Sequence, residues 1–266
     1  VTSGSSGDDA VNDGSDTYVA WNWLAGTAFS NDASATSVGT IDSSGQVNTT
    51  AGFSIVGFEG SGSNATIAHG LSAAPEMLIV KNRENASGLW LVYHAGIASD
   101  AETDYVHLES TNAAADDNSA WNDTAPTSSV FSVGTSVASN QSGKDHIAYC
   151  FHSVEGYSKV GSYAGNGDND GAFVYTGFRP AWTMVKRTNT TDNWVIDDAV
   201  RSPFNEMNNT LYANLTNVEY TGGLYGIDFL SNGFKIRDND GNYNNNGSTY
   251  IYLAFAEQPF KYANAR

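Results

Sequence analysis

A six-residue pattern occurs three times in this chain and restricts its fold more than any other feature. One copy is Tyr250-Ile251-Tyr252-Leu253-Ala254-Phe255, a second is His146-Ile147-Ala148-Tyr149-Cys150-Phe151, and a third is Tyr18-Val19-Ala20-Trp21-Asn22-Trp23. Successive residues of a strand point to opposite faces. Ile251, Leu253 and Phe255 therefore share a face matched by Ile147, Tyr149, Phe151 and by Val19, Trp21, Trp23, and this face is expected to be the core of each unit. The opposite face carries small or amphipathic residues, Ala148 and Cys150 in one copy and Ala20 and Asn22 in another, which suits close cover by a second layer. Each copy reads as a central strand.

The last two copies belong to a longer internal repeat. Pro75 and Pro180 lie 105 residues apart, Trp90 and Trp194 lie 104 apart, Phe131 and Phe234 lie 103 apart, and His146 and Tyr250 lie 104 apart. Composition alone does not produce a near-constant offset. The expected organisation is an N-terminal extension over residues 1–50, a first β-sandwich repeat over 51–157 and a second over 158–266. The first copy of the pattern has no unit of its own, so it is either the tail of an earlier repeat or a strand lent to the first unit.

Charged residues make up only 15% and aromatic residues 12%, with 27 glycines and no long run at helical period, a composition that reads as all-β. Short strands separated by Gly and Asn turns point to two tandem, jelly-roll-like β-sandwich lobes, and a small barrel would share the pattern. The formal charge of −17, from 29 acidic and 12 basic residues, repels phosphate backbones, so no nucleic-acid partner is expected. No apolar run approaches the ~18 residues of a membrane helix, so no membrane insertion is expected. Val1 at the start reads as a processed or truncated beginning. The single cysteine, Cys150, excludes an internal disulfide framework and reads as a small packed side chain.

In chain order, residues 1–16 form a Gly, Ser and Asp lead-in, followed by the strand around Trp21. Thr27 to Thr50 reads as a linker with at most a short strand near Val38 to Ile41. The first unit then offers strands at Phe53, Ala65, Met77, Trp90, Tyr105, Val130 and His146. The second offers them at Gly161, Ala172, Pro180, Asn193, Leu211, Gly226, Gly233 and Thr249, with one helical turn over Pro203 to Met207.

Several of these segments resemble a known family. They are Ile67-Ala68-His69-Gly70-Leu71 with Pro75, the Trp121-Asn122-Asp123 loop, the Val154-Glu155-Gly156-Tyr157-Ser158-Lys159 join, Tyr175-Thr176-Gly177-Phe178-Arg179-Pro180, and the ending Ala256-Glu257-Gln258-Pro259-Phe260. Together they are similar to a repeat domain of tail-fibre-like virion proteins of bacteriophages, many of them marine, from Tyr18 to the C-terminus. The resemblance implies a virion component facing the outside of the particle, assembled as a homo-oligomer, a trimer, with other virion proteins and a host-surface glycan as partners. It supplies no catalytic residues.

No enzyme is expected. The chain lacks a nucleophile elbow, a zinc-binding His-Glu-x-x-His, a phosphate-binding glycine loop, and the closely spaced carboxylates of a sandwich glycosidase. No cofactor is expected, with structural calcium as the alternative. The oxygen donors for it would be Asn166, Asp168 and Asp170 in one acidic turn and Asp238 and Asp240 in another, although neither turn has the distal Glu of an EF-hand and both match ordinary hairpin turns. For ligand contact, the loops carrying Trp121, Asp123 and Tyr243 are the candidates, because an exposed ring beside polar groups can stack on a sugar. Trp90 and Trp194, at matched repeat positions, read first as core. The alternatives to a tail fibre are a capsid decoration or head-fibre protein and a carbohydrate-binding or glycan-hydrolysing module.

Overall fold

The computed structural model describes residues 17–85, 89–222 and 226–259. The protein is all-β, with 41% strand and 7% helix. The N-terminal part forms β1 (Thr27–Asn31), α1 (Ala33–Thr36) and β2 (Ser43–Asn48). The first unit contains β3 (Phe53–Glu59), β4 (Ala65–Ala68), β5 (Met77–Asn82), β6 (Trp90–His94), β7 (Asp104–His107), β8 (Ala115–Asp116), α2 (Asn118–Trp121), β9 (Val130–Val133), α3 (Val137–Asn140) and β10 (Asp145–Phe151). The second contains β11 (Ser158–Ala164), β12 (Phe173–Tyr175), β13 (Pro180–Arg187), β14 (Trp194–Asp198), β15 (Asn209–Tyr212), β16 (Tyr220–Thr221), β17 (Ile227–Leu230), β18 (Gly233–Ile236), α4 (Gly241–Asn244) and β19 (Thr249–Ala256).

The strands form two large and two small antiparallel sheets. The first large sheet runs β1-β2-β3-β10-β5-β6-β7-β8 and the second β11-β19-β13-β14-β15-β16. From β3 onward the two orders match strand for strand. The small sheet β4-β9 lies over the first large sheet, and β12-β18-β17 over the second. As read from the sequence, β10 and β19 are central: β10 pairs with β3 and β5, and β19 with β11 and β13.

Which face of these strands meets which layer differs from the expectation. Phe151, Ile251, Leu253 and Phe255 do not form separate lobe cores; they sit together in one cluster between the two large sheets, where the rings of Phe151 and Phe255 meet edge-on at 6.2 Å. Ile147 and Tyr149 are only half-buried. The interior of each lobe lies on the other face. There the small Ala148 and Cys150 leave room for Phe131 and Trp121, and Ala254 for the second small sheet's Phe229 and Phe234. Both faces are buried, so alternation separates them but does not tell a lobe interior from a seam.

Polar links fix the seam. His94 Nε2–H donates to the Tyr252 carbonyl (3.1 Å), the Trp194 indole N–H to the His107 carbonyl (2.8 Å), and the Ala114 N–H to the Thr188 carbonyl (2.8 Å). Each large apolar chain removed from water at the seam contributes ~1.5–3 kcal/mol, so the two sheets are held as one body.

Three local expectations are corrected. The segment from Tyr18 to Trp23 is not a strand; it runs without a sheet partner and turns Trp21 and Trp23 inward. Residues 27–48, read as linker, supply β1 and β2, which extend the first large sheet from β3. An edge hairpin needs little apolar surface, and Ser43 instead donates its hydroxyl to the Ala68 carbonyl (2.9 Å), so hydrophobic patterning gave no signal. Pro203 to Met207 forms no helical turn; Met207 bridges to Ile227. The lead-in at residues 1–16 lies outside the described residues.

Candidate functional site

A cleft lined mainly by apolar side chains is the candidate site, because uncovered apolar surface is the feature a folded chain normally avoids. It arises where the two large sheets diverge. Trp21 and Trp23, two residues apart on extended chain, place their rings on one side. Trp23 packs edge-on against Trp182 (5.8 Å) and Phe151 (6.5 Å), and Trp21 against Trp182 (6.1 Å).

The segment is anchored at both sides. The Trp21 indole N–H donates to Asp198 (3.3 Å), which pairs with Arg201 (2.6 Å), and Arg201 in turn reaches Glu219 (2.6 Å). Asn48 donates to the Leu24 carbonyl (3.1 Å). Beyond this wedge lies a cleft of about 400 Å³. Ile55, Ile79, Trp90 and Tyr149 line it from the first sheet and Met184, Ile196 and Leu253 from the second, while Asn22, Tyr149 and the indole rings carry its polar groups. The Trp90 and Tyr149 rings are nearly parallel at 6.4 Å, and the Lys81 ammonium lies 5.6 Å from the Trp90 ring centre.

Two of the three residues expected to contact ligand are interior. Trp121 is 1% exposed, donates its indole N–H to the Asp104 carbonyl (3.1 Å) and meets Tyr93 edge-on at 6.1 Å. Tyr243 is fully buried and donates its hydroxyl to Asp197 (2.6 Å). Neither ring can stack on a ligand from solvent, which corrects the sequence reading. The polarity of their loops hid them, because short helices capped by Asp117 and Asp240 turn each ring inward. Asp123 is exposed, in a left-handed conformation (φ 43°).

The two acidic turns do come together, but around an amide nitrogen. Asn244 Nδ2 donates to Asn166 Oδ1 (2.8 Å), the Asp168 carbonyl (2.7 Å) and the Asp238 carbonyl (2.9 Å). The carboxylates serve their own turns: Asp168 accepts from the Asp170 N–H (2.9 Å), Asp238 from the Asp240 N–H (2.8 Å), and Asp240 from the Asn242 N–H (2.8 Å). Asp170 pairs with Lys235 (2.7 Å), which holds its carboxyl below the usual range. Among the described residues no three His, Cys, Asp or Glu side chains are grouped to hold a metal ion. Asn140, 104 residues before Asn244, repeats the knot by donating to the Ser63 and Gly134 carbonyls (2.7 Å each).

The buried ionisable groups also bear structural bonds. His69 Nδ1 accepts from the Leu71 N–H (3.1 Å), and His146 Nε2 accepts from the Gln141 N–H (3.3 Å). His94 accepts from the Gly96 N–H (3.0 Å) while donating across the seam, and burial pushes its pKa down to about 4. Asp197 accepts from Tyr243 and from Thr210 (2.8 Å), yet burial raises its pKa to about 6. Burial pushes the Cys150 thiol up to about 12, which makes it unreactive. The cleft residues Trp21, Trp23, Tyr149 and Trp182 were not marked as a site by the sequence reading. The available signal was a pair of tryptophans two apart in an otherwise polar stretch.

These features define an all-β protein in which two similarly ordered large sheets, each backed by a small sheet, enclose an aromatic cleft. The chain belongs to the family described as Domain of unknown function (DUF7483), whose model matches residues 1–259. No curated protein and no solved structure matches it.

Proposed function

We propose that this chain is a structural component of a bacteriophage virion, tail-fibre-like and facing outward, which recognises a host surface by contact and not by turnover. The virion assignment rests on the residues that resemble that family. The observation that carries the mode of action is the fusion of both large sheets through one core, because a rigid body presents its loops at fixed spacing. Asp117, Asp168, Asp238 and Asp240 serve caps and turns and His94 binds across the seam, which supports the same reading. Assembly as a homo-oligomer, a trimer, would multiply single-loop contacts, since linked sites raise avidity by ~10²–10⁴.

The test is adsorption of the purified assembled protein to susceptible cells. Replacing exposed residues of the loop at 123–129 should reduce adsorption while leaving the unfolding transition in place. Labelling confined to the capsid of intact particles would favour the decoration reading. Release of sugar from a host glycan, lost on one carboxylate substitution, would overturn the proposal in favour of an enzyme.

A further inference from the structure

The two lobes differ in what lies beside their small sheets. Ile67 on β4 pairs with Phe131 and Val174 on β12 with Phe234, so β12 stands at the place of β4, and Gly177 (φ 87°) at the place of Gly70 (φ 74°). In the first lobe the chain before β3 fills this place. The Thr40 and Ile41 N–H groups donate to the Thr66 carbonyl (2.8 and 3.2 Å), and the Thr66 N–H donates to the Thr40 hydroxyl (2.8 Å). Phe29 of β1 and Val47 of β2 close over Gly70, where a Cβ would stand 3.2 Å from the Phe29 ring and 3.4 Å from the Val47 Cβ.

The second lobe has no hairpin before β11. The atoms nearest to a Cβ on Gly177 would be those of Tyr175, from 3.6 Å, and a hollow of about 620 Å³ lies there, lined by Ser153, Glu155, Lys159, Tyr175 and Gly177 among others. Phe173 and Tyr175, at the positions of Thr66 and Ala68, are 47% and 66% exposed on the edge strand of the small sheet. Among the described residues, the main chain of Phe173 takes no hydrogen bond from outside that sheet. We propose that this hollow docks a short β-hairpin from a partner protein: a polar two-stranded segment, of the same character as residues 27–48, that lays an aromatic and a branched apolar side chain over Gly177 and bonds its main chain to the open edge of β12. In such strand addition the main-chain bonds give affinity and the side chain in the hollow gives selectivity. The first lobe displays this arrangement within one chain. Its own hairpin is paired with β3, so the donor for the second lobe is a different chain. The site lies on the other lobe from the loop at 123–129 that is assigned to cell contact.

The experiment titrates the whole chain with a labelled synthetic peptide of residues 25–50, followed by fluorescence anisotropy, beside the same peptide with Phe29→Ser and a scrambled sequence. Saturable one-to-one binding is expected, at least about tenfold weaker for the Phe29→Ser peptide, the scale of burying one aromatic side chain, and none for the scrambled control. Amide exchange in the complex should slow over residues 173–177. Phe173→Pro removes the edge N–H equivalent to that of Thr66 at a position where an edge strand tolerates proline, and should weaken binding at least about tenfold with the unfolding transition preserved. Lys159→Trp, which fills the hollow, is the second variant if the first does not fold. Absence of saturable binding, binding unchanged in a folded site variant, or slowed exchange confined to residues 53–68, where the chain's own hairpin is seated, would overturn the proposal. So would self-association that Phe173→Pro removes in the absence of peptide binding, which would assign the edge to a second copy, or saturable binding of methyl glucoside in place of the peptide, which would make the hollow a saccharide site.

Discussion

The first and second lobes share a strand order but fill their interiors differently. In the first, Ala148 on β10 faces Val56 on β3; in the second, the matched pair is Tyr252 on β19 and Gly161 on β11. A Cβ on Gly161 would stand 2.6 Å from the Tyr252 hydroxyl oxygen, so a large residue on one strand requires none on its neighbour. Around Tyr252 the second lobe also buries Tyr243, Tyr250 and Asp197, with Tyr163 half-buried beside them, where the first has His146, Cys150 and Phe58. The topology is thus set by which faces are apolar, while the balance of ring, hydroxyl and carboxyl inside it can differ, provided cross-strand volume is conserved and buried polar atoms are paired.

The outer borders differ as well. β3 is extended by β2 and β1, whereas β11 is closed only by the short join, through the Val154–Ser158 bridge and the Ser153 hydroxyl accepting from the Val160 N–H (3.0 Å). An unpaired edge invites association, and the two lobes blunt the same edge in different ways.

The largest expected effect tests whether the lobes are energetically one unit. Phe255→Ala should destabilise by ~3–5 kcal/mol, because it opens a cavity shared by Phe151, Trp23 and Trp182. Urea denaturation should still show one transition, at a lower midpoint. Two separated transitions, or a loss below about 1 kcal/mol, would break the view of a common seam.

Next is the exchange of volume across the central strands. Gly161→Val should cost ~1–3 kcal/mol through overpacking on Tyr252, and the double change Gly161→Val with Tyr252→Ala should cost less than the two single changes together. Strict additivity in that cycle would reject the compensation.

The buried ionisable groups should give slopes of opposite sign with pH. The Asp197 pKa is raised to about 6, so the folded state holds its proton where the unfolded state has released it, and stability falls as pH rises from about 4 to 6. The His94 pKa is lowered to about 4, so the unfolded state binds the proton first, and stability is lost as pH falls from about 6.5 to 4. Asp197→Asn should therefore gain on the original protein as pH rises from 4 to 7, and His94→Gln should gain on it as pH falls over the same interval. Urea midpoints at several pH values measure both. Differences that do not change with pH would remove the assigned burial of these groups.

The smallest effect concerns the added border of the first lobe. Ser43→Ala removes the hydroxyl bond to the Ala68 carbonyl and should cost ~0.5–1.5 kcal/mol. Amide exchange should accelerate in β1 and β2 before it does in β10; equal acceleration throughout would show that the hairpin is part of the common core.

The sequence by itself determined a good deal. The repeated central strand, its partners at Met77 and Pro180, and the repeat offset were all readable, because strand alternation and the turn residues act over a few neighbours. The same local rules predicted most strand positions of both units. Only the tertiary structure decided that Phe255 faces a seam and Tyr252 a lobe interior, since a strand buried on both sides carries no local mark of what covers it. It also decided that Trp121 and Tyr243 turn inward, that Asn244 joins two acidic turns, and that Trp21 and Trp23 reach a cleft between sheets. Each of these depends on groups brought together from distant parts of the chain, and the free energy of burial responds to that assembled environment, which no short stretch of sequence contains.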